Sequence, residues 1–181
     1  MMDSGTALYR RYLKGDDAAL EALVGMYSDA LVRFAYGYVG DTAAAEDVMA
    51  DTFAALIVKR KEFREEAKFK TYLYRIARNK AIDFLRANKR QLPLEEQCVR
   101  APSAEEDVFL RDRERQLFAF IKTLPSQYAE VLQLYYFEGF SAEQMCCVLK
   151  KSRKQVYNLL ARARLTLRQI FSKEGISYED L

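Results

Sequence analysis

Two helix-start signals between Ser141 and Gln169 constrain the fold more than any other feature of the sequence. Ser141 and Ser152 each precede an apolar-periodic segment, and a serine hydroxyl at such a position can accept a backbone N–H from the first helical turn. The residues between the two segments leave room for a turn of about three or four residues, which is the layout of a helix-turn-helix. The second helix of such a motif can lie in the major groove of DNA.

The charge of this stretch agrees with a polyanionic partner. From Gln144 to Lys173 there is no acidic residue, and the eight basic residues are Lys150, Lys151, Arg153, Lys154, Arg162, Arg164, Arg168 and Lys173. Duplex DNA attracts such a cluster through its phosphates. A helical hairpin with a solvated basic face and no DNA partner is the alternative interpretation.

Composition limits the class of protein. Of the 181 residues, 50% are apolar and 30% are charged, and only 7 are Gly and 3 are Pro. A globular chain with so few turn signals is predicted to be all-α. No apolar run approaches the roughly 20 residues that cross a bilayer, and the N-terminus has no secretory signal pattern. We therefore expect a cytoplasmic protein that does not insert into membranes.

The chain contains no His and 3 Cys, namely Cys98, Cys146 and Cys147. Without His the usual zinc ligand sets are missing, and an odd number of cysteines with two adjacent suits a reducing compartment. His is also the commonest general acid–base group, and no phosphate loop or nucleophile motif takes its place. We therefore expect no metal, no cofactor, no catalytic residue and no enzymatic activity.

Acidic and basic residues are segregated along the chain, although the net charge is only +3. Residues 14–51 contain eight acids and two bases, whereas residues 67–90 contain eight bases and one acid. With the helix-turn-helix region, the chain therefore has two basic blocks that could contact a polyanion. Residues 1–15, before the acidic block, are predicted to be a short lead-in with a frayed start.

The acidic block is predicted to form two helices. Apolar residues recur at spacings of three and four over residues 20–38 and again over residues 45–56, which indicates two faces turned to a core. On the second helix Asp47 and Asp51 lie one turn apart, with Glu46 nearby. This acidic cluster is either a solvated face or a docking face for a basic partner.

Residues 69–90 interleave aromatic and basic side chains around an apolar stripe. The stripe is predicted to contain Phe69, Leu73, Ile76, Ala77, Phe84 and Leu85. The interleaved residues are Tyr72 and Tyr74 with Lys70, Arg75, Arg78, Asn79 and Lys80. Such a helix suits single-stranded nucleic acid, because bases stack on the rings while the cations follow the phosphates. A surface helix with half-buried tyrosine rings is the alternative.

A break in the helical pattern separates two halves. Residues 91–107 hold two of the three prolines, are rich in Glu and lack a sustained apolar period, which indicates an interdomain linker. We therefore predict two small helical domains joined by this linker, over residues 1–90 and 108–181.

Two sets of motifs carry a resemblance to a known family. The first reads Ala-Glu-Asp-Val-Met-Ala-Asp-Thr-Phe at 45–53, then Phe-Lys-Thr-Tyr-Leu-Tyr-Arg-Ile-Ala-Arg-Asn-Lys-Ala-Ile-Asp-Phe-Leu-Arg at 69–86. The second reads Leu-Pro-Ser-Gln-Tyr-Ala-Glu-Val-Leu at 124–132, Tyr-Phe-Glu-Gly-Phe-Ser at 136–141 and Ala-Arg-Ala-Arg at 161–164. In this order they resemble the extracytoplasmic-function (ECF) group of the sigma-70 family, the promoter-recognition subunits of bacterial RNA polymerase.

The resemblance implies a sigma-2 domain over residues 1–90, a linker over 91–107 and a sigma-4 domain over 108–181. It implies partners as well, namely core RNA polymerase through its β′ coiled coil and β flap, promoter DNA, and an inhibitory anti-sigma factor. The polymerase holds the active site, so the sigma factor itself does no chemistry. A stand-alone helix-turn-helix transcriptional regulator is the alternative, although such a regulator has no need of the aromatic–basic helix.

The resemblance also assigns residues to three contacts. Docking on the β′ coiled coil is assigned to Glu46, Asp47, Asp51 and Phe53. Recognition and opening of the −10 element is assigned to Lys68, Lys70, Tyr72, Tyr74, Arg75, Arg78, Asn79, Lys80, Asp83 and Arg86, with a loop over residues 64–68 that helps to hold an extruded base. Recognition of the −35 duplex is assigned to Ser152, Arg153, Lys154, Gln155, Tyr157, Asn158, Arg162 and Arg164.

Three positions depart from the family pattern. Tyr72 stands where Trp is frequent, and a tyrosine keeps an aromatic face on which a base can stack. Tyr157 and Leu159 stand where Lys and Arg are usual in the recognition helix. Phosphate anchoring is therefore expected to shift to Arg153, Lys154 and Arg162.

Overall fold

The computed structural model describes residues 4–60, 68–89 and 112–175, and all the regular structure in those ranges is α-helical. The all-α class expected from the sparse turn signals is thereby confirmed. The chain divides into two compact units, Met1–Ala101 and Pro102–Leu181. The predicted linker over residues 91–107 lies outside the described ranges.

The first unit packs its helices around an apolar core. Those helices are α1 (Ser4–Leu13), α2 (Asp17–Val39), α3 (Thr42–Lys59) and α4 (Phe69–Lys89). The carboxylates of Asp16 and Asp41 cap α2 and α3 by accepting backbone N–H groups of their first turns. Between these helices Gly40 adopts the left-handed conformation with φ of 72°, which ends α2 and turns the chain into α3.

The N-terminal segment differs from its prediction. Residues 1–15 were predicted to be a frayed lead-in, but α1 packs on the core of the unit and buries Tyr9 completely. The Tyr9 ring stacks on Phe69 with centroids 4.9 Å apart, and burial raises the Tyr9 pKa to about 12. The backbone N–H of Phe69 donates to the Thr6 hydroxyl over 3.1 Å. The prediction was wrong because α1 packs on α2 and on α4, and its contacts with α4 join residues some sixty positions apart in the chain.

The second unit is a smaller helical bundle that contains the predicted helix-turn-helix. Its helices are α5 (Asp112–Lys122), α6 (Ser126–Tyr136), α7 (Ala142–Leu149) and α8 (Arg153–Glu174). The apolar spacing after Ser141 and Ser152 predicts which side chains of the two helices face the core. They are Met145, Val148 and Leu149 of α7, and Val156, Leu160 and Ala163 of α8. All of these side chains are buried, which confirms the predicted orientation of both helices.

Candidate nucleic-acid and protein interfaces

One side of α3 is acidic and open to solvent. Glu46, Asp47 and Asp51 are exposed, while Val48 and Leu56 on the other side are buried in the core of the first unit. The helix is therefore amphipathic in the sense that the sequence predicted. Its exposed carboxylates are placed where a basic partner could reach them.

Phe53 does not belong to this exposed side. Only 5% of its surface is accessible, so the side chain packs inside the unit. Phe53 lies three residues before the fully buried Leu56, and that spacing places both on one face of the helix. The assignment of Phe53 to a docking surface is therefore wrong for this chain, because its ring packs in the core of the first unit.

Two apolar side chains at the C-terminal end of α3 are also exposed, and the sequence analysis did not predict them. Val58 is 83% exposed and Ile57 is 40% exposed. Val58 follows Asp51 by seven residues and Asp47 by eleven, so the three side chains lie along one line of the helix surface. The signal was present in the sequence, because Val58 falls outside the apolar stripe that ends at Leu56.

Tyr74 of α4 is not available for base stacking. Its side chain is 0% exposed and contacts Phe34 of α2 with ring centroids 5.0 Å apart, while the Lys70 ammonium lies 5.5 Å from its ring centroid. Tyr74 is buried because it is spaced three and seven residues from Ala77 and Ala81, which face the core. The prediction that Tyr74 binds DNA is therefore wrong.

The rest of the aromatic–basic helix presents a mostly cationic surface. Lys68, Arg75, Asp83 and Arg86 are exposed, and the half-buried residues of the assigned set are Lys70, Tyr72, Arg78, Asn79 and Lys80. Phe84 and Leu85 were expected in the buried stripe but are only half-buried, because this end of α4 extends past the core. The predicted base-holding loop lies outside the described residues except for Lys68.

Tyr72 is the aromatic side chain of the assigned −10 set that keeps an accessible surface. Partial burial raises the pKa of Tyr72, and the nearby Arg75 guanidinium lowers it less. The hydroxyl therefore stays protonated at neutral pH, and the ring offers an uncharged stacking face.

Two ion pairs limit how the charges of this unit are used. Lys80 Nζ lies 3.2 Å from Asp51 Oδ2, which joins the basic surface of α4 directly to the acidic side of α3. Asp83 Oδ1 lies 3.6 Å from Arg86 Nη1 within α4. Both pairs are solvent-exposed, and exposed pairs contribute little to stability. They can therefore separate when a partner offers a better contact.

The helix-turn-helix of the second unit begins both of its helices with reciprocal caps. The Ser141 hydroxyl accepts the Gln144 N–H at 3.3 Å while Gln144 Oε1 accepts the Ser141 N–H at 2.8 Å. Ser152 and Gln155 repeat this arrangement with the same distances. The two predicted helix starts are thus confirmed. The oxygens of Ser152 and Gln155 hold the start of α8, so their first role is structural.

The first turns of α8 expose a dense group of polar side chains. The exposed members of the assigned −35 set are Ser152, Arg153, Lys154, Gln155, Tyr157, Asn158 and Arg162. Tyr157 is 47% exposed, and the Arg153 guanidinium carbon lies 5.7 Å from its ring centroid. The N-terminal part of α8 therefore has the accessible polar surface that a recognition helix needs.

A carboxylate of α7 reaches the start of α8. Glu143 Oε1 lies 2.8 Å from Arg153 Nη2, across the turn between the helices. The pKa of Glu143 is lowered, first by its backbone hydrogen bond and then by the hydrogen bond from Ser141, while Arg153 adds a smaller effect. Glu143 is therefore charged at neutral pH, and sequence reasoning did not single it out.

Arg164 differs from the other assigned residues of α8. Its guanidinium carbon lies 4.3 Å from the ring centroid of Tyr135 and 6.0 Å from that of Tyr136, and the side chain is half-buried. This cation–π contact ties α8 to α6. Arg164 therefore has a structural contact inside the bundle, and its contact with DNA stays a prediction.

Two properties of residues 4–60, 68–89 and 112–175 bear on membranes and metals. None of their helices is both long and apolar enough to span a membrane. Their His, Cys, Asp and Glu side chains form no group of three or more that could hold a metal ion.

The first unit places an acidic face beside an aromatic–basic helix, and the second unit contains a helix-turn-helix whose second helix exposes cations. These features indicate a protein that contacts both nucleic acid and another macromolecule. Comparison with known proteins identifies the family to which such a protein belongs. The model of Sigma-70 region 2 matches residues 23–91, and that of Sigma-70 region 4 matches residues 114–167.

Individual relatives agree with these matches. The RNA polymerase sigma-H factor of Pseudomonas aeruginosa is 31% identical over 172 residues, covering 87% of this chain and 88% of that protein. The ECF RNA polymerase sigma factor SigM of Bacillus subtilis is 23% identical over 168 residues, covering 88% of this chain and 99% of its own length. The sigma factor RpoE of Bartonella quintana, solved in complex with the anti-sigma factor NepR, has the same fold. Its TM-score is 0.64 at 21% identity, covering 84% of this chain and 96% of that one.

The chain belongs to the ECF group of the sigma-70 family. It is a transcription initiation factor that binds RNA polymerase and directs it to promoters, and sigma factors are known as non-catalytic subunits. A stand-alone regulator is not favoured, because region 2 of the family spans most of the first unit.

Proposed function

We propose a division of the initiation function between the two units, with individual surfaces for polymerase, melted DNA and duplex DNA. In this proposal residues 1–90 act as the sigma-2 domain, residues 91–107 as a linker and residues 108–181 as the sigma-4 domain. The observation that carries the proposal is the contact between Lys80 and Asp51, 3.2 Å long, which sets a basic DNA-binding surface beside an acidic protein-binding surface.

The acidic side of α3 docks on the β′ coiled coil of core polymerase. Glu46, Asp47 and Asp51 meet basic residues of the partner, and the exposed Val58 adds an apolar contact at the end of the same line. Charge complementarity speeds and orients the encounter, while the apolar contact contributes to the lifetime of the complex.

The exposed surface of α4 follows the single strand of the −10 element. Tyr72 stacks on a base, and the phosphates are contacted by Lys68, Lys70, Arg75, Arg78, Lys80 and Arg86, with Asn79 able to read a base edge. Asp83 keeps Arg86 in place through their ion pair. Lys80 must leave Asp51 to reach DNA, which links DNA binding to the docking side of α3.

The first turns of α8 read the −35 element in the major groove. Lys154 and Arg162 are the candidates for phosphate contacts, as the sequence predicts. Arg153, which the sequence also assigned to phosphate, is moved to the base contacts with Tyr157 and Asn158, because Glu143 and the Tyr157 ring lie against its guanidinium. The capping oxygens of Ser152 and Gln155 fix the start of the helix that presents them.

The remaining partners follow from the same assignment. The second unit contacts the β flap of polymerase, and an anti-sigma factor inhibits the protein by binding it. RpoE, a protein of the same fold, was solved in complex with the anti-sigma factor NepR. The protein works in the cytoplasm, where polymerase and chromosome are, and has no enzymatic activity of its own.

A charge reversal on α3 tests the proposal. Asp47→Arg should lower the affinity for core polymerase at least about tenfold, because it places a like charge against the basic partner. Asp29→Arg is the matched control, since Asp29 is an exposed acid on α2. Affinity is measured by titration of core polymerase with the full chain, and initiation by transcription from a promoter library. Equal effects of the two substitutions would refute the α3 assignment.

A further inference from the structure

The acidic side chain of Glu143 in α7 contacts the exposed start of α8. Its carboxylate oxygen lies 2.8 Å from Arg153 Nη2, and 56% of the Glu143 side chain and 69% of the Arg153 side chain remain exposed. A carboxylate at a DNA-binding surface repels phosphate and lowers affinity for every sequence. Glu143 lies in the first turn of α7, where the helix dipole favours an acidic side chain, and its ion pair gives it a second contact at the start of α8.

Arg153 is held from two sides. Glu143 contacts one end of the guanidinium across the turn, and the Tyr157 ring of the next helical turn lies 5.7 Å from the guanidinium carbon. The pair is exposed, so it biases the planar fork of Arg153 toward one orientation, whereas an unpaired arginine samples many rotamers. The exposed part of the fork can still donate to a ligand.

We propose that Glu143 is a positioning residue that sets base preference at the −35 element by orienting Arg153 toward a guanine. Arginine binds guanine through two parallel hydrogen bonds to O6 and N7, a geometry that requires a fixed fork. This inference rests on the proposed function, because it requires α8 to be the −35 reader. It adds a residue of α7 to the recognition surface and names the base that the surface selects.

The experiment uses polymerase holoenzyme reconstituted with the full chain and a duplex library randomised over the −35 element. Glu143→Gln removes the charge and keeps the shape, and should reduce the preference for guanine at one position about tenfold. Loss of the carboxylate should also strengthen binding to unrelated duplex. The salt dependence should steepen by up to about one released ion, since the freed Arg153 can then contact phosphate.

Two further variants separate positioning from charge and from folding. Arg153→Lys keeps the charge without the fork, so it should lose the same guanine preference as Glu143→Gln. Glu174→Gln removes an exposed acid at the other end of α8 and should leave the preference unchanged. A loss of folding would instead weaken binding to all sequences equally and lower the melting temperature.

The outcomes distinguish the inference from the function on which it rests. Unchanged guanine preference in Glu143→Gln, with a clear preference in the wild-type holoenzyme, would overturn the inference alone. A wild-type holoenzyme without any −35 base preference would overturn both this inference and −35 reading by α8. Equal loss on all sequences would show that Arg153 contacts phosphate or that Glu143 is only structural, and would also overturn it.

Discussion

α4 and α8 have similar compositions, yet their aromatic residues have different roles. Both are long helices that place tyrosine among basic residues, two tyrosines in α4 and one in α8. Tyr74 of α4 is 0% exposed and belongs to the core, whereas Tyr157 of α8 is 47% exposed and stands beside Arg153. Composition alone therefore does not identify a base-stacking residue, and the position of the ring relative to the apolar stripe decides.

The two helices also differ in how they begin. The first N–H groups of α8 are satisfied locally by Ser152, whereas the N–H of Phe69 in α4 is satisfied by Thr6 of α1. A local cap works wherever the helix is placed, but a cap from another helix works only when the core has formed. The start of α4 is thus a product of the tertiary structure, and the start of α8 is a product of its own sequence.

The largest expected effect is a direct test of this contrast in burial. Tyr74→Ala should destabilise the first unit by about 3–5 kcal/mol, because it removes a buried aromatic ring. Tyr157→Ala should change stability by less than about 0.5 kcal/mol and should weaken −35 binding instead. Hydrogen exchange followed by mass spectrometry measures both changes in stability, since peptides from the two units are read separately.

Tyr74→Phe is the control for this pair, because it keeps the ring against Phe34 and removes only the hydroxyl. It should lose much less stability than Tyr74→Ala. If Tyr74→Ala and Tyr157→Ala destabilised their units equally, burial would not be what separates the two tyrosines.

Within α4, Tyr72 offers the next largest effect. Tyr72→Ala should cost promoter opening about 1–3 kcal/mol, the contribution of one base stacked on an aromatic ring. Binding to the closed promoter should change little, because duplex DNA offers no unstacked base. Opening is followed by the reactivity of unpaired thymines at the −10 element.

Tyr72→Trp provides the matched control, since Trp keeps a stacking face and is frequent at this position in the family. It should open promoters as well as the wild type does. Equal losses of opening and closed binding in Tyr72→Ala would mean that Tyr72 only packs against the protein.

Much of the fold could be predicted because the signals are local. Ser141 and Ser152 cap helices as the sequence indicated, and the apolar spacings placed the buried faces of α3, α7 and α8 correctly. These features depend on residues within one or two helical turns of each other. α1 was missed because part of what orders it lies in α4, far along the chain.

Three residues of the predicted site make contacts inside their own unit for a common physical reason. Phe53, Tyr74 and Arg164 matched the family motifs or the interleaved pattern, but each is taken up by contacts inside its own unit. Their partners come from other helices, as with Tyr135 of α6 and Phe34 of α2. Periodicity within one helix cannot reveal such partners, so a polar or aromatic residue at the edge of a stripe is easily misassigned.

The difference in caps between α4 and α8 makes a smaller prediction. Thr6→Val should destabilise the first unit by about 1–3 kcal/mol, because the buried N–H of Phe69 loses its acceptor. Ser152→Ala should cost the second unit about 1 kcal/mol, since water can reach the start of α8. Hydrogen exchange at the first turn of each helix measures both.

The position of the loss is the decisive readout for these caps. Thr6→Val should increase exchange in α1 and α4 together, whereas Ser152→Ala should increase it only at the start of α8. Increased exchange confined to α1 in Thr6→Val would contradict the role of Thr6 as a cap of α4.

The smallest expected effect concerns the charge of a cap. The pKa of Asp16 is lowered, chiefly because Arg11 hydrogen-bonds its carboxylate, with burial opposing and the Ala19 N–H adding to the decrease. A pKa that is lower in the folded state means that the pair stabilises the chain above the unfolded-state pKa. That stabilisation is lost as pH falls below about 4 through the lower folded-state value.

Asp16→Asn isolates this charge, because Asn caps helices about as well as Asp does. Exchange at the start of α2 should be slightly faster than in the wild type at neutral pH, and the difference should vanish in acid. Ser152→Ala is the comparison, since a neutral cap has no charge to titrate and its effect should persist at low pH. A difference for Asp16→Asn that stayed constant with pH would show that cap geometry, and not the pair with Arg11, stabilises this end of the first unit.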